Sequence, residues 1–204
     1  MSVVVAIKKD GVVYMGADSQ VTRGGTRTSL SNPNNYKIWK VKGVDNCLMG
    51  HVGTLREACV VKVMDNLVRE IDVMRDLIDF EYVVTRIVPM LIDQLTEFNY
   101  LDKNEVFKDM NSRYLFAYQD KLFVIGFDGA VIEVDDCVAI GSGESEAIGS
   151  LVTTSAEESP VVRIVKAIKA SAAHDLYVDY PIVMSDTLST DFTVVDEKNI
   201  NEII

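Results

Sequence analysis

Two runs of β-branched and aliphatic residues, positions 2 to 9 and 12 to 18, flank Asp10-Gly11. This pattern predicts two antiparallel strands joined by a tight turn. The following polar stretch, 23 to 35, is rich in Gly, Ser, Thr and Asn, ends in Asn32-Pro33-Asn34-Asn35, and predicts loop. A strand is expected over 36 to 42, where Lys37, Trp39 and Val41 share one face and Ile38, Lys40 and Lys42 the other, so Lys37 is the lysine expected to point inward. Positions 46 to 52 form another strand pattern. Gly53-Thr54 then introduces a helical stripe running through Val60, Val61, Met64, Leu67, Val68 and Ile71. A second helix is expected from Phe80 to Phe98, bent or broken at Pro89, because proline removes an amide donor from the helix interior. Positions 99 to 111 are polar connection.

Strand patterns return at 114 to 118, 122 to 127 and 131 to 134, with turns at Gln119-Asp120 and Asp128-Gly129. A further strand, 138 to 140, leads into Gly141-Ser142-Gly143 and a helix of about ten residues. Ser159-Pro160 supplies an N-cap and a first helical residue for a helix with the stripe Val161, Ile164, Val165 and Ile168. Strands near 182 to 185 and 192 to 195 close the pattern. Strands and helices therefore come in blocks, which argues for an α+β fold with antiparallel sheets; regular βαβ alternation would have argued for a parallel one.

The length of 204 residues suits one domain spanning 1–204, and a hydrophobic share of 48% fits a packed core. No apolar run reaches the ~18 residues of a membrane span, and the first residues lack the order of a secretory signal, so a cytoplasmic protein with no membrane partner is expected. A net charge of −11 without a Lys/Arg stripe argues against nucleic acid as a partner. Cys47, Cys59 and Cys137 lack metal-ligand spacing and are expected to be reduced, buried thiols; no metal or cofactor is expected.

Candidate chemistry begins at Ser2. Removal of Met1 would place a hydroxyl and a free α-amine on one residue, and that amine, with an ordinary pKa of roughly 7.7 to 8.0, is able to take the proton of an attacking hydroxyl. A two-residue turn sets Ser2 opposite Ser19. A three-residue loop of Lys9, Asp10 and a left-handed Gly11 sets Ser2 opposite Asp18, and is the arrangement expected. Gly141-Ser142-Gly143 is neither a nucleophile elbow, since Ile140 and Glu144 occupy its glycine positions, nor a dinucleotide fingerprint, since Glu146 stands at the third glycine. His51 and His174 are the only histidines. His174-Asp175 makes a poor pair, because consecutive helical residues point about 100° apart.

Several segments in order along the chain, Ser2-Val3-Val4-Val5-Ala6-Ile7, Asp10-Gly11-Val12-Val13, Gly16-Ala17-Asp18-Ser19, Lys37-Ile38, Gly50-His51-Val52-Gly53, Ile140-Gly141-Ser142-Gly143 and Asp175-Leu176-Tyr177, resemble those of proteasome β-type subunits and the HslV peptidase, N-terminal-nucleophile hydrolases. The resemblance implies a four-layer αββα sandwich and a peptidase. It places Ser2 as the nucleophile, Asp18 as the acidic partner of the lysine, Lys37 as that lysine with Lys40 as the alternative, and Gly53, in preference to Gly50, as the oxyanion donor. Ser142 and Asp175 fall near the terminal amine. It further implies a homo-oligomeric ring, unfolded polypeptides or peptides as substrates, and an ATP-dependent unfoldase as a possible partner. Three features depart from the family pattern: serine replaces threonine, the Asp18 to Lys37 interval is longer, and Val178 stands where many active members carry serine. A noncatalytic ring subunit and a hydrolase of small amides are the competing expectations.

Overall fold

The structure, a computed structural model, describes residues 2–98, 101–102, 109–200 and 203. The first hairpin joins β1 (Val3–Lys9) to β2 (Val12–Ala17), with Lys9 paired to Val12. Its loop is therefore two residues, and the expected three-residue loop is corrected. Asp10 and Gly11 both take positive φ, 52° and 77°, the conformation of a type I′ turn whose twist matches that of the strands. This register sets Asp18 opposite Val3 and Ser2 opposite Ser19.

The expected loop at 23 to 35 is also corrected in part. β3 (Gln20–Arg23) and β4 (Thr26–Ser29) form a separate two-stranded hairpin turned by Gly24-Gly25, followed by a 3-10 turn at Pro33–Asn35. β5 (Ile38–Lys40) and β6 (Cys47–Gly53) follow. The helical stripe after Gly53 does not run unbroken. α1 (Leu55–Val63) ends at Met64, whose ψ of 128° is extended, Asn66 takes positive φ, and α2 (Glu70–Met74) starts afresh. Met64, Leu67 and Val68 are buried nonetheless and Ile71 is exposed, so the pattern reported burial as far as Val68 and continuity wrongly. α3 (Phe80–Tyr82) passes through a π turn at Val83–Ile87 into α4 (Val88–Glu97). The wider turn sits immediately before Pro89, where a regular helix would lack a donor and press the ring against the preceding turn. Of the expected connection at 99 to 111, positions 99, 100 and 103 to 108 lie outside the described residues.

β7 (Ser112–Tyr118), β8 (Lys121–Ile125), β9 (Val131–Glu133) and β10 (Cys137–Gly141) precede α5 (Glu144–Thr153) and α6 (Pro160–His174). Ser159 caps α6 as expected, its side chain accepting from the Val162 N–H. β11 (Ile182–Asp186) and β12 (Thr193–Val195) complete the order.

One antiparallel sheet runs β10-β1-β2-β11-β12 and the other β5-β6-β7-β8-β9. Alternation along each strand gives every sheet two apolar faces. Val4, Ala6 and Met15 meet Leu48, Leu115 and Val124 between the sheets, while Val3, Val5 and Ile7 pack outward on Ile164 and Ile168 of α6. On the far side Phe116, Tyr114 and Met49 pack on α1 to α4, through Val61, Leu91 and Leu95. The result is the expected αββα sandwich. The expectation of three buried thiols is corrected: Cys47 is buried, Cys137 is half-buried, and Cys59, on the outward side of α1, is exposed.

Candidate active site

The start of β1 lies inside its sheet, paired to β2 on one side and β10 on the other, which ties residue 2 to both neighbours. The backbone N–H of Ser2 donates to Ser142 Oγ at 3.1 Å, and the Ser2 carbonyl accepts from Ser142 Oγ and the Gly143 N–H, both at 3.4 Å. Gly141 makes this approach possible. Its φ is 117°, and a Cβ there would fall 2.0 Å from the Ser2 carbonyl oxygen.

Asp18, although not opposite Ser2, reaches the same end of the sheet. One carboxylate oxygen accepts from the Val3 N–H and the other from the Gln20 N–H, each at 2.9 Å. Lys37 Nζ donates to both oxygens at 2.8 Å and to the Gln20 carbonyl at 2.5 Å. The two side chains are nearly sealed from solvent, at 6% and 0% exposure, so this is a buried ion pair whose donors and acceptors are heavily satisfied. Lys40 points elsewhere, to the Asp186 carbonyl at 2.6 Å. Burial pushes the Lys37 ammonium below its ordinary 10.5, against the opposing pull of Asp18 and, more weakly, Asp175.

Gly53 ends β6 at a φ of 132°, and a Cβ there would lie 2.4 Å from the Asn111 carbonyl. The His51 N–H, two residues back, donates to the Lys37 carbonyl at 2.9 Å. Alternate N–H groups on a strand point to the same side, so that of Gly53 is directed past the start of β5. Ser2, Lys37 and Gly53 all line a cavity of about 800 Å³ in that direction, between β3 and α1. Gly50 is instead enclosed between the sheets against Met15 and Val4.

Asp175 caps the end of α6. One of its oxygens accepts from the Tyr177 N–H at 2.8 Å, and Oδ2 is enclosed with no hydrogen-bond partner among the described residues. Val178 packs in the apolar layer behind Gly143, and the hydroxyl that reaches the Gly143 carbonyl, at 2.7 Å, belongs to the buried Ser171.

A model of the family described as proteasome subunit matches residues 2–185. The chain belongs to the proteasome subunit family. No curated protein matches it by sequence. Solved structures share its fold: BPH of Thiobacillus denitrificans in complex with epoxomicin, 20% identical, covers 92% of this chain and 99% of its own with a TM-score of 0.68. HslV of Trypanosoma brucei is 18% identical, with coverage of 90% and 98% and a TM-score of 0.64. A Gly-1 mutant of Anbu from Hyphomicrobium sp. strain MC1 is 12% identical, with coverage of 100% and 91% and a TM-score of 0.68.

In this proteasome-family subunit several supporting residues escaped the sequence reading. Ser112, fully buried, accepts from the Thr54 N–H at 3.2 Å and meets His51 Nε2 at 3.0 Å, fastening the backbone after Gly53 and the His51 ring before it. Lys62 of α1 lies 5.2 Å from the Trp39 ring centroid and donates to the Tyr36 carbonyl, steadying the chain just before Lys37. Burial pushes its ammonium down to about 8. Gln20 contributes both a carbonyl to Lys37 and an N–H to Asp18. Polar residues at the edges of apolar runs were the available signal, but only the three-dimensional neighbours reveal what they hold.

Burial, reinforced by the positive charges of Lys62 and Lys37, lowers the His51 pKa from its ordinary 6.5 to about 3. Between those values the unfolded chain binds the proton and the folded one does not. The stability is therefore fully present above about pH 6.5 and declines as pH falls toward 3. Urea unfolding at pH 7 and pH 5 should show a loss of about 2 kcal/mol from this residue. The His51→Gln variant should lose less than the parent over the same interval, and equal losses would remove His51 as the cause.

Proposed function

We propose that the chain is a proteasome-type peptidase in which Ser2, freed at its amine by loss of Met1, attacks the peptide carbonyl. Ser2 Oγ forms a bond to the carbonyl carbon and yields its proton to its own α-amine. The negative oxygen that results is held by the Gly53 N–H, a fixed donor in a partly enclosed space. Collapse breaks the C–N bond, and the ammonium returns its proton to the leaving amine. Water then attacks the acyl-Ser2 ester, giving up a proton to the amine, and releases the carboxylic acid and the free hydroxyl. Lys37 supports the step electrostatically. Its charge, held by Asp18, stabilises an ionising hydroxyl and disfavours a second cation on the nearby amine. Ser142 and the unpartnered Asp175 Oδ2 supply acceptors for that amine in its protonated form.

The observation that carries the reading is the convergence of Ser2, Lys37 and Gly53 on one cavity. The test is intact mass before and after treatment with a peptide boronate or epoxyketone. The expected result is a chain lacking Met1 that gains one adduct, mapped to Ser2. Retained Met1, or an adduct elsewhere, would defeat the mechanism.

Assembly into a homo-oligomeric ring is part of the same proposal, with unfolded chains delivered by an ATP-driven unfoldase. Ile71, Met74, Leu77, Phe80 and Val84 expose a run of apolar side chains on the helical layer, a surface suited to contact between subunits. Light scattering that reports a monomer at micromolar concentration would remove this part and leave the chemistry standing.

A further inference from the structure

The cavity beside Ser2 has walls of one charge. β3 contributes Arg23, α1 contributes Arg56, and the buried Lys37 also lines it; no carboxylate is among its lining residues. This is unexpected in a chain with 31 acidic residues against 20 basic ones. Lys37 is neutralised by Asp18. Arg27, Arg69 and Arg113 each hold a carboxylate, whereas Arg23 and Arg56 have no ion-pair partner among the described residues. Val21, Leu55 and Cys59 add apolar lining.

From this arrangement we infer that the cavity selects an acidic residue on the acyl side of the scissile bond, glutamate above all. The inference rests on the reading of Ser2 as nucleophile. The side chain of the residue whose carbonyl is attacked enters the space next to Ser2. The two methylenes of glutamate lie along Val21 and Leu55, and its carboxylate meets the guanidinium groups, whose planar forks match a carboxylate with two parallel hydrogen bonds. A lysine in the same place sets like charges together in a partly enclosed volume, where screening by water is reduced. An aliphatic side chain meets the apolar lining and leaves both cations without a partner.

The test is hydrolysis of four fluorogenic peptides that differ only in that residue: Glu, Gln, Leu or Lys. The expected result is a kcat/KM for Glu about tenfold above Gln, the size of preference that two partly exposed ion pairs supply, with Lys lowest. Raising salt from about 0.05 M to about 0.5 M should shrink the Glu to Gln ratio, because exposed pairs are screened. R23E and R56E, at exposed positions that carry no core packing, should each reduce the Glu to Lys ratio, and the double variant should invert it. Turnover with Leu preferred, and a ranking untouched by R23E/R56E, overturns the inference while leaving the Ser2 mechanism in place. Absence of turnover with all four peptides, together with absence of a Ser2 adduct, overturns both. A boronate carrying Glu that labels Ser2 no faster than one carrying Leu overturns the inference independently of turnover.

Discussion

Ser2→Ala is expected to lower peptide hydrolysis on the order of 10⁶-fold, the scale seen when a hydrolase loses its nucleophile, and to abolish labelling by a boronate. Alanine is small, so removal of Met1 should be unaffected and the α-amine still present. The variant thus separates the hydroxyl from the base. Its backbone contacts to Ser142 and Gly143 use main-chain atoms and remain, so the fold should be unchanged. Ser2→Thr keeps the oxygen and restricts its rotamers, and should retain activity. Hydrolysis by Ser2→Ala at the parental rate would exclude residue 2 from the chemistry.

Lys37→Met is expected to do more than weaken catalysis. It leaves the buried Asp18 carboxylate without its counter-charge, and breaking a buried pair from one side costs about 3 to 5 kcal/mol. The Val3 and Gln20 N–H donors remain on that carboxylate and place the expected loss toward the lower end. Activity should fall about 10²- to 10³-fold, as for loss of one preorganised electrostatic group. Combining Lys37→Met with Asp18→Asn removes the stranded charge and should recover part of the stability but none of the activity. Urea unfolding and kcat on the same preparations distinguish the two effects, and a double variant with recovered kcat would refute the role given to Lys37.

The fold was legible where periodicity and burial coincide. The run at 2 to 9 predicted β1; the alternation over 36 to 42 predicted a strand that spans only Ile38–Lys40, and Lys37 is buried at 6% exposure as expected, but so is Ile38 of the opposite face, at 0%. Ser159-Pro160 announced α6 because capping is a local interaction. What failed depended on choices with nearly equal local merit. A two- or three-residue loop at Asp10-Gly11 differs only in how φ is distributed, yet it shifts every partner by one residue. The stripe through Met64, Leu67 and Val68 is buried without being helical, because a chain that doubles back presents the same residues to the core. At the site, the pairing of Asp18 with Lys37 was legible through the resemblance. Ser112, Ser171 and Lys62 were not, since their partners are distant in sequence and their types are common in strands and helices.

β1 occupies the interior of its sheet, with β10 as a neighbour, and the Ser2 amide meets a side chain 140 positions away. During synthesis the first strand therefore leaves the ribosome long before its second edge is covered. Pairing over such separation is slow compared with hairpin formation. Until Gly141 to Gly143 have emerged and docked, the carbonyl of residue 2 lacks its cradle, and the cavity lacks one of its supports. Strand order thus leaves the first strand to be synthesised waiting on the tenth before its second edge is closed.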